Sequence, residues 1–187
     1  VKLDPSNPDI VYAGSYARGI WRSPDGGTTW TQIKPSLNPA IIQTRPAFDV
    51  AALPNGKTRM YVHEGNIGTP ISQLSRSDDV ATGVPIYTNL TSANPADPGF
   101  AWANLCTGQC WYDLFVTSPD GHPDMVYAGG SYSYGQVIAN KRGVVLSTDA
   151  GVTGTDMTFD GTDFLHPNGL HPDQHDIVTH PNNPYIF

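Results

Sequence analysis

Three aspartates each follow an aromatic ring and lead into an apolar run: Phe48-Asp49-Val50-Ala51, Tyr112-Asp113-Leu114-Phe115 and His175-Asp176-Ile177-Val178. Two carboxyls facing one another across a cleft can serve as general acid and base on a glycosidic bond. The alternative for Asp49, Asp113 and Asp176 is local: each orients its own strand entry by accepting backbone N–H groups. Recurrence favours the local role, because a fold-building residue returns in every unit and a catalytic one need not. A second group is His171-Pro172-Asp173-Gln174-His175, with His166 nearby. Alternation along an extended segment puts His171, Asp173 and His175 on one side, as a divalent metal would require. The other reading is hydrogen bonding at a channel mouth, with Asp173 fixing the turn after Pro172. A third group is aromatic: Trp102 and Trp111 bracket a cysteine loop, and Tyr132 and Tyr134 decorate another loop. Such rings stack on sugars, anchor protein partners, or cover a blade edge. Cys106 and Cys110 are the only two cysteines. The expectation is a small surface-loop disulfide, since zinc would need two further soft ligands and none flank the loop.

These residues are carried by short strands that return in order. Asn7-Pro8-Asp9-Ile10-Val11-Tyr12-Ala13-Gly14 matches His122-Pro123-Asp124-Met125-Val126-Tyr127-Ala128-Gly129. A third copy is Arg59 to Gly65, and a fourth begins at His180-Pro181-Asn182-Asn183-Pro184. In each, a Pro/Asn/Asp turn precedes a β-branched and aromatic run, which reads as a turn and a strand. The three aspartate segments align as a strand upstream of that turn. Gly19-Ile20-Trp21-Arg22-Ser23 and Gly143-Val144-Val145-Leu146-Ser147 follow it. Thr29 to Ile33, Ile86 to Leu90 and Met157-Thr158-Phe159 close the units. Four strands per unit, repeated at propeller-blade spacing, predict an all-β fold: a partial β-propeller of about three four-stranded blades plus the start of a fourth. The blades are expected at about 1–46, 47–111 and 112–174, with the next starting at 175–187.

Composition agrees. The chain has 187 residues, with 19 Gly and 17 Pro, and its only glutamate is Glu64 among 17 acidic residues. Asp favours turns where Glu favours helix interiors, so a helical protein is excluded. No apolar run is long enough for a membrane-spanning helix. The net charge of -7 repels phosphates and makes nucleic acid a poor partner. No nucleotide-binding loop, Ser/His/Asp arrangement or cofactor fingerprint is present, and no cofactor is expected beyond the divalent metal considered above. Sparse lysine, abundant Asn, Thr and Gly, and the disulfide point to a secreted, cell-surface or periplasmic protein. Asn89-Leu90-Thr91 is a formal glycosylation sequon.

Ser23-Pro24-Asp25-Gly26-Gly27-Thr28-Thr29-Trp30 fits S-x-D-x-G-x-T-W at every fixed position. It resembles the Asp box of the sialidase-like (BNR) repeat propellers. Asp25 can accept N–H groups within the turn, Gly26 and Gly27 permit positive φ, and Trp30 covers the hairpin. Ser147-Thr148-Asp149-Ala150-Gly151-Val152-Thr153 is a degenerate copy, and Ser75-Arg76-Ser77-Asp78-Asp79 a weaker one. The stretch from Asp4 to Ile33 is similar to repeats of sortilin-type and photosystem-assembly-type propellers. The resemblance implies that Ser23, Asp25, Gly27, Trp30, Ser147, Asp149 and Gly151 build blades, away from the central site. True sialidases carry Arg-Ile-Pro before the first box; the nearest match, Arg45-Pro46, lacks the Ile and follows the box. Sialidase activity is therefore not expected.

Both termini fall within blades, so the residues are expected to belong to a longer chain whose other blades are its first partners. The expected function is a non-catalytic exported scaffold or recognition module, binding a glycan or cell-surface protein through its loops. The alternative is part of a polysaccharide-directed glycoside hydrolase whose site is shared with further blades.

Overall fold

The computed structural model describes residues 1–67, 72–132, 142–158 and 171–187. Tyr134, Phe159 and His166 lie outside these residues. Apolar and β-branched runs between Pro, Asn, Asp and Gly turns become three four-stranded antiparallel sheets, each a simple meander. The first holds β1 (Lys2–Leu3), β2 (Val11–Ser15), β3 (Gly19–Ser23) and β4 (Thr31–Lys34). The second holds β5 (Arg45–Ala52), β6 (Thr58–Gly65), β7 (Ser72–Ser77) and β8 (Thr88–Asn89). The third holds β9 (Leu114–Thr117), β10 (Val126–Gly130), β11 (Val144–Ser147) and β12 (Thr155–Asp156). A single 3-10 turn, Pro98–Trp102, is the only helical element among the described residues. The protein is a partial propeller of about three blades with the start of a fourth.

The ladder registers put Tyr12, Tyr61 and Tyr127 at one position, opposite Lys2, Asp49 and Thr117. Side chains alternate along each strand, so the tyrosine marks one flank and its neighbours the other. Tyr12, Ile20 and Ile33 of the first blade pack against Met60 and Val62 of the second. Tyr61 and Leu74 of the second pack against Val116, Val126, Ala128 and Val145 of the third. The tyrosine flank of each blade thus meets the non-tyrosine flank of the next. Polar bonds follow the same rule. Arg22 donates to the carbonyls of Val80 and Gly83 in the second blade, and Arg76 to that of Ala150 in the third. The Tyr61 hydroxyl donates to the Pro123 carbonyl at 2.7 Å, and the Tyr127 hydroxyl to the Pro184 carbonyl at 2.7 Å. Residues 171–187 therefore dock on the third blade as that blade docks on the second, with Ile177 and Phe187 against the Tyr127 flank. They do so without a ladder: the expected inner strand at His175-Asp176-Ile177-Val178 does not form, and Pro172 to Gln174 bond instead to the end of β10. There the chain runs Ala128-Gly129-Gly130. A Cβ on Gly129 would stand 2.2 Å from the Gly143 carbonyl oxygen and 2.6 Å from the Phe115 ring.

The Ser23–Trp30 turn is built on Asp25. Ser23 Oγ and Thr29 N each donate to Asp25 Oδ1 at 2.8 Å, Thr29 Oγ1 to Oδ2 at 2.7 Å, and Gly27 N to Ser23 Oγ at 2.8 Å. The Thr29 backbone N–H is the main reason that the Asp25 carboxyl is held below its ordinary range. Ser147, Asp149, Gly151 and Thr153 make the same four bonds. Ala150 occupies the place of Gly26, with φ of 60° against 67°. The weaker copy at 75–79 forms no such turn. Its Asp78 bonds Arg59 Nε at 2.6 Å and lies 3.2 Å from Arg76 Nε.

Candidate functional site

In a meander, alternate turns share one end of the blade. The β2–β3, β4–β5 and β8–β9 connections therefore lie at one end, and the two carboxylate-centred turns at the other. The first end gathers most of the chemistry. Tyr16 from the β2–β3 turn donates its hydroxyl to the Trp111 carbonyl at 2.9 Å. Arg45, opening β5, donates to the Tyr112 carbonyl. Trp111 and Tyr112 stand 5.5 Å apart between ring centroids, and Tyr112 meets the edge of His175 at 4.5 Å. All three rings are part-exposed, so they form one strip from the β8–β9 connection to the 171–175 segment.

Beneath the strip lies Asp113, fully buried. His175 Nδ1 is 3.2 Å from its Oδ1, yet neither carboxyl oxygen receives an aligned hydrogen bond among the described residues. Burial, with the Asp173 carboxylate as the next cause, raises the Asp113 carboxyl to about 6, against the pull of His175 and Arg45. A second buried titratable group lies close by. His63 Nδ1 is 3.1 Å from the Phe115 carbonyl oxygen, two residues along from Asp113, and its Nε2 has no hydrogen-bond partner among the described residues. Burial lowers His63 to about 4, so the ring is neutral and Nδ1–H is the donor.

The two groups act oppositely on stability. His63 titrates below its unfolded value of about 6.5, so the unfolded chain binds the extra proton and stability falls as pH drops from there towards 4. Asp113 titrates above its unfolded value of about 3.9, so its contribution is full below that value and is lost as pH rises through about 6. Asp113→Asn removes the second effect and leaves the first. The variant is expected to gain about 1–2 kcal/mol at pH 7 and to lose stability more steeply than the parent from pH 6 to 4. Urea midpoints across that range read both; a variant no more stable at pH 7 would deny that Asp113 is strained.

The three repeat-aligned aspartates do not share a place. Asp49 pairs with Tyr61, the position of Thr117 in the third blade, whereas Asp113 precedes β9 in the register of Arg45. The sequence alignment is thus shifted by four residues between these two blades. Asp49 is buried on β5, 2.8 Å from Lys2 Nζ, and accepts the Ser118 N–H at 3.0 Å. It and Asp176 line one recess of about 380 Å3, with Lys2, Asp120, His122 and His180, and Asp113 lies outside it. The Asp176 carboxylate accepts its own neighbour, the Ile177 N–H, at 2.8 Å.

His171 and His175 part company: His171 Nδ1 lies 3.6 Å from Asp173 Oδ2, while His175 turns to Asp113. Among the described residues no three His, Cys, Asp or Glu side chains converge as a metal would need. The disulfide between Cys106 and Cys110 forms, but inside rather than on the surface, packed on Leu114 and Ala47. Trp102 and Tyr132 are buried too, at 0 and 2 % exposure, so neither offers a ring to a ligand; Trp111, at 39 %, does. Sequence reasoning missed Tyr16 and Arg45 as members of this face. Arg45 and Asp113 correspond only through the ladder registers, since the inner strands are offset by 68 residues (Asp49 to Thr117) where the tyrosines Tyr61 and Tyr127 are offset by 66.

No protein-family model matches this chain, and no curated protein matches it.

Proposed function

We propose that this chain is an exported recognition propeller of the sialidase-like repeat type that binds a glycan on the end carrying Trp111, Tyr112 and His175. The observation that carries this reading is the strip of part-exposed rings, held from below by a buried carboxylate and from the sides by Tyr16 and Arg45. Sugar rings present apolar faces edged by hydroxyls. A surface of adjoining, part-exposed rings with the Asp173 carboxylate near His175 meets both features. The buried disulfide supports export. With carboxylates at the strip and a net charge of -7, neutral glycans are favoured over acidic ones.

A glycan array probed with the full chain tests this. Trp111→Ala is expected to weaken the captured glycan at least about tenfold, the loss of one stacked ring. It should leave the thermal midpoint nearly unchanged. Capture of no glycan, or equal capture by the variant, would reject the reading. One observation favours the alternative of polysaccharide hydrolysis: Asp49 and Asp176 share a recess. Glycan turnover lost in Asp49→Asn and Asp176→Asn would select it.

A further inference from the structure

Two carboxyls meet beneath the ring strip. The Asp113 side chain is wholly buried, and Asp173, 26 % exposed, stands within hydrogen-bonding reach of it. Ionised carboxylates only accept hydrogen bonds. Two of them in contact repel, and a bond forms between them only when one holds a proton. Among the described residues no aligned N–H or O–H reaches either Asp113 oxygen, so a proton held by the pair supplies what that carboxylate lacks.

Other charged and titratable groups face the pair from the elements around it. Arg45, opening β5, donates to the Tyr112 carbonyl rather than to Asp113. His63 of β6 is neutral and donates to the Phe115 carbonyl. His175 Nδ1 is 3.2 Å from Asp113 Oδ1. His171 Nδ1, 3.6 Å from Asp173 Oδ2, itself accepts the Asp173 N–H at 3.3 Å and so donates nothing there.

The backbone beside both carboxyls is held. The Tyr132 N–H donates to the Pro172 carbonyl at 3.1 Å, the Gln174 N–H donates to the Gly130 carbonyl at 3.2 Å, and Asp173 bridges to Ser131 between them. The Asp113 N–H donates to the Gln109 carbonyl at 2.9 Å. A Cβ on Gly130 would stand 2.6 Å from the Asp113 carbonyl oxygen, so the end of β10 and the Asp113 backbone are in close contact. Relief of repulsion is therefore left to the side chains. Of the two, only Asp173 reaches solvent, and it is the one that can turn away.

We propose that Asp113 and Asp173 share one proton, and that this proton fixes Asp173 beside the rings as the acceptor for a sugar hydroxyl, so that glycan is held most tightly in mild acid. The inference rests on the glycan reading of the strip. With the proton in place the Asp113 O–H donates to one Asp173 oxygen, and the other oxygen stays free for the sugar. Without it the carboxylates repel, Asp173 turns out to solvent, and the hydroxyl loses its acceptor. The assembled pair binds the proton more tightly than the parted pair. Capture is therefore favoured below the Asp113 value of about 6 and weakens as pH rises through it.

An array of neutral oligosaccharides, probed with the full chain at steps from pH 5 to pH 7.5, reads the outcome. Half-saturation at the capturing spots is expected at an about tenfold lower chain concentration at pH 5, with a slope of no more than about one decade per pH unit, because one proton is taken up. Asp113→Asn supplies a permanent N–H donor to Asp173 and should bind at pH 7.5 about as the parent does at pH 5. Asp173→Asn removes the repulsion from the other side and should flatten the profile too. His171→Gln should leave the profile as it is. Capture that is equal or stronger at pH 7.5 overturns this inference and leaves the glycan reading standing, whereas capture of nothing at any pH rejects both. A profile that survives in Asp113→Asn and vanishes in His171→Gln also overturns it, by assigning the effect to the imidazole.

Discussion

Glu64→Ala is expected to destabilise the fold by about 3–5 kcal/mol, the cost of leaving a buried charge without its partner. Glu64 is 1 % exposed on β6, and its carboxylate bonds the last residue of β4 and the β4–β5 connection that follows it. Lys34 Nζ lies 2.7 Å from Oε2, while Ser36 Oγ and Leu37 N donate to Oε1 at 2.9 and 2.8 Å. Removing the carboxylate strands an ammonium that is itself 10 % exposed, together with a hydroxyl and an N–H. The Tyr87 ring, 5.9 Å from Lys34 Nζ, replaces only a part of that attraction. Glu64→Gln keeps both acceptor contacts at Oε1 and should cost less than Ala. Lys34→Met with Glu64→Leu removes both charges at similar volume and should recover most of the loss, because the pair's mutual attraction mainly offsets its own desolvation. Urea unfolding of the single variants and of the double variant decides. If Glu64→Ala costs under about 1 kcal/mol, the site is wetter than its burial says.

That pair also explains why a lone glutamate in a chain of aspartates escaped notice as a structural residue. Its partners are thirty and twenty-eight residues away in sequence, and nothing local to Arg59–Gly65 announces a buried cation opposite. The strands themselves were legible, because period-two runs and Pro/Gly/Asp turns are local signals. The Asp25 turn was legible in detail, since all of its bonds lie within Ser23–Thr29. So was the second copy at Ser147–Thr153, although Ala150 replaces a glycine. Register was not legible. Asp49 and Asp113 look equivalent through their neighbours, but pairing partners fifteen or so residues away set their places, and a four-residue shift sends one to the recess and the other beneath the ring strip. The candidate site is assembled from four connections that meet only once the blades stack. Sequence named Trp111, Asp113, Asp173 and His175 for separate reasons, and packing joined them.

The two tryptophans that flank the cysteine loop differ most. Trp102→Ala is expected to cost about 3–5 kcal/mol, while Trp111→Ala should stay within about 0.5 kcal/mol. Trp102 closes the short 3-10 turn and is wholly buried where two blades meet, among Tyr61 and Leu74 of the second and Val116, Val126, Ala128 and Val145 of the third. Its indole Nε1 donates to the Gly151 carbonyl at 2.8 Å, so the 91–110 insertion is tied to the turn that ends β11. Truncation leaves a cavity between blades and a buried carbonyl without a donor. Trp102→Phe keeps most of the volume and loses the bond, which should account for about 1 kcal/mol of the total. Because the ring spans both blades, Trp102→Ala should also lower the cooperativity of unfolding, seen as a smaller denaturant slope, whereas Trp111→Ala should not. Equal losses for the two alanine variants would mean that the insertion is not part of the core, and that the aromatic pair around the cysteines is one surface after all.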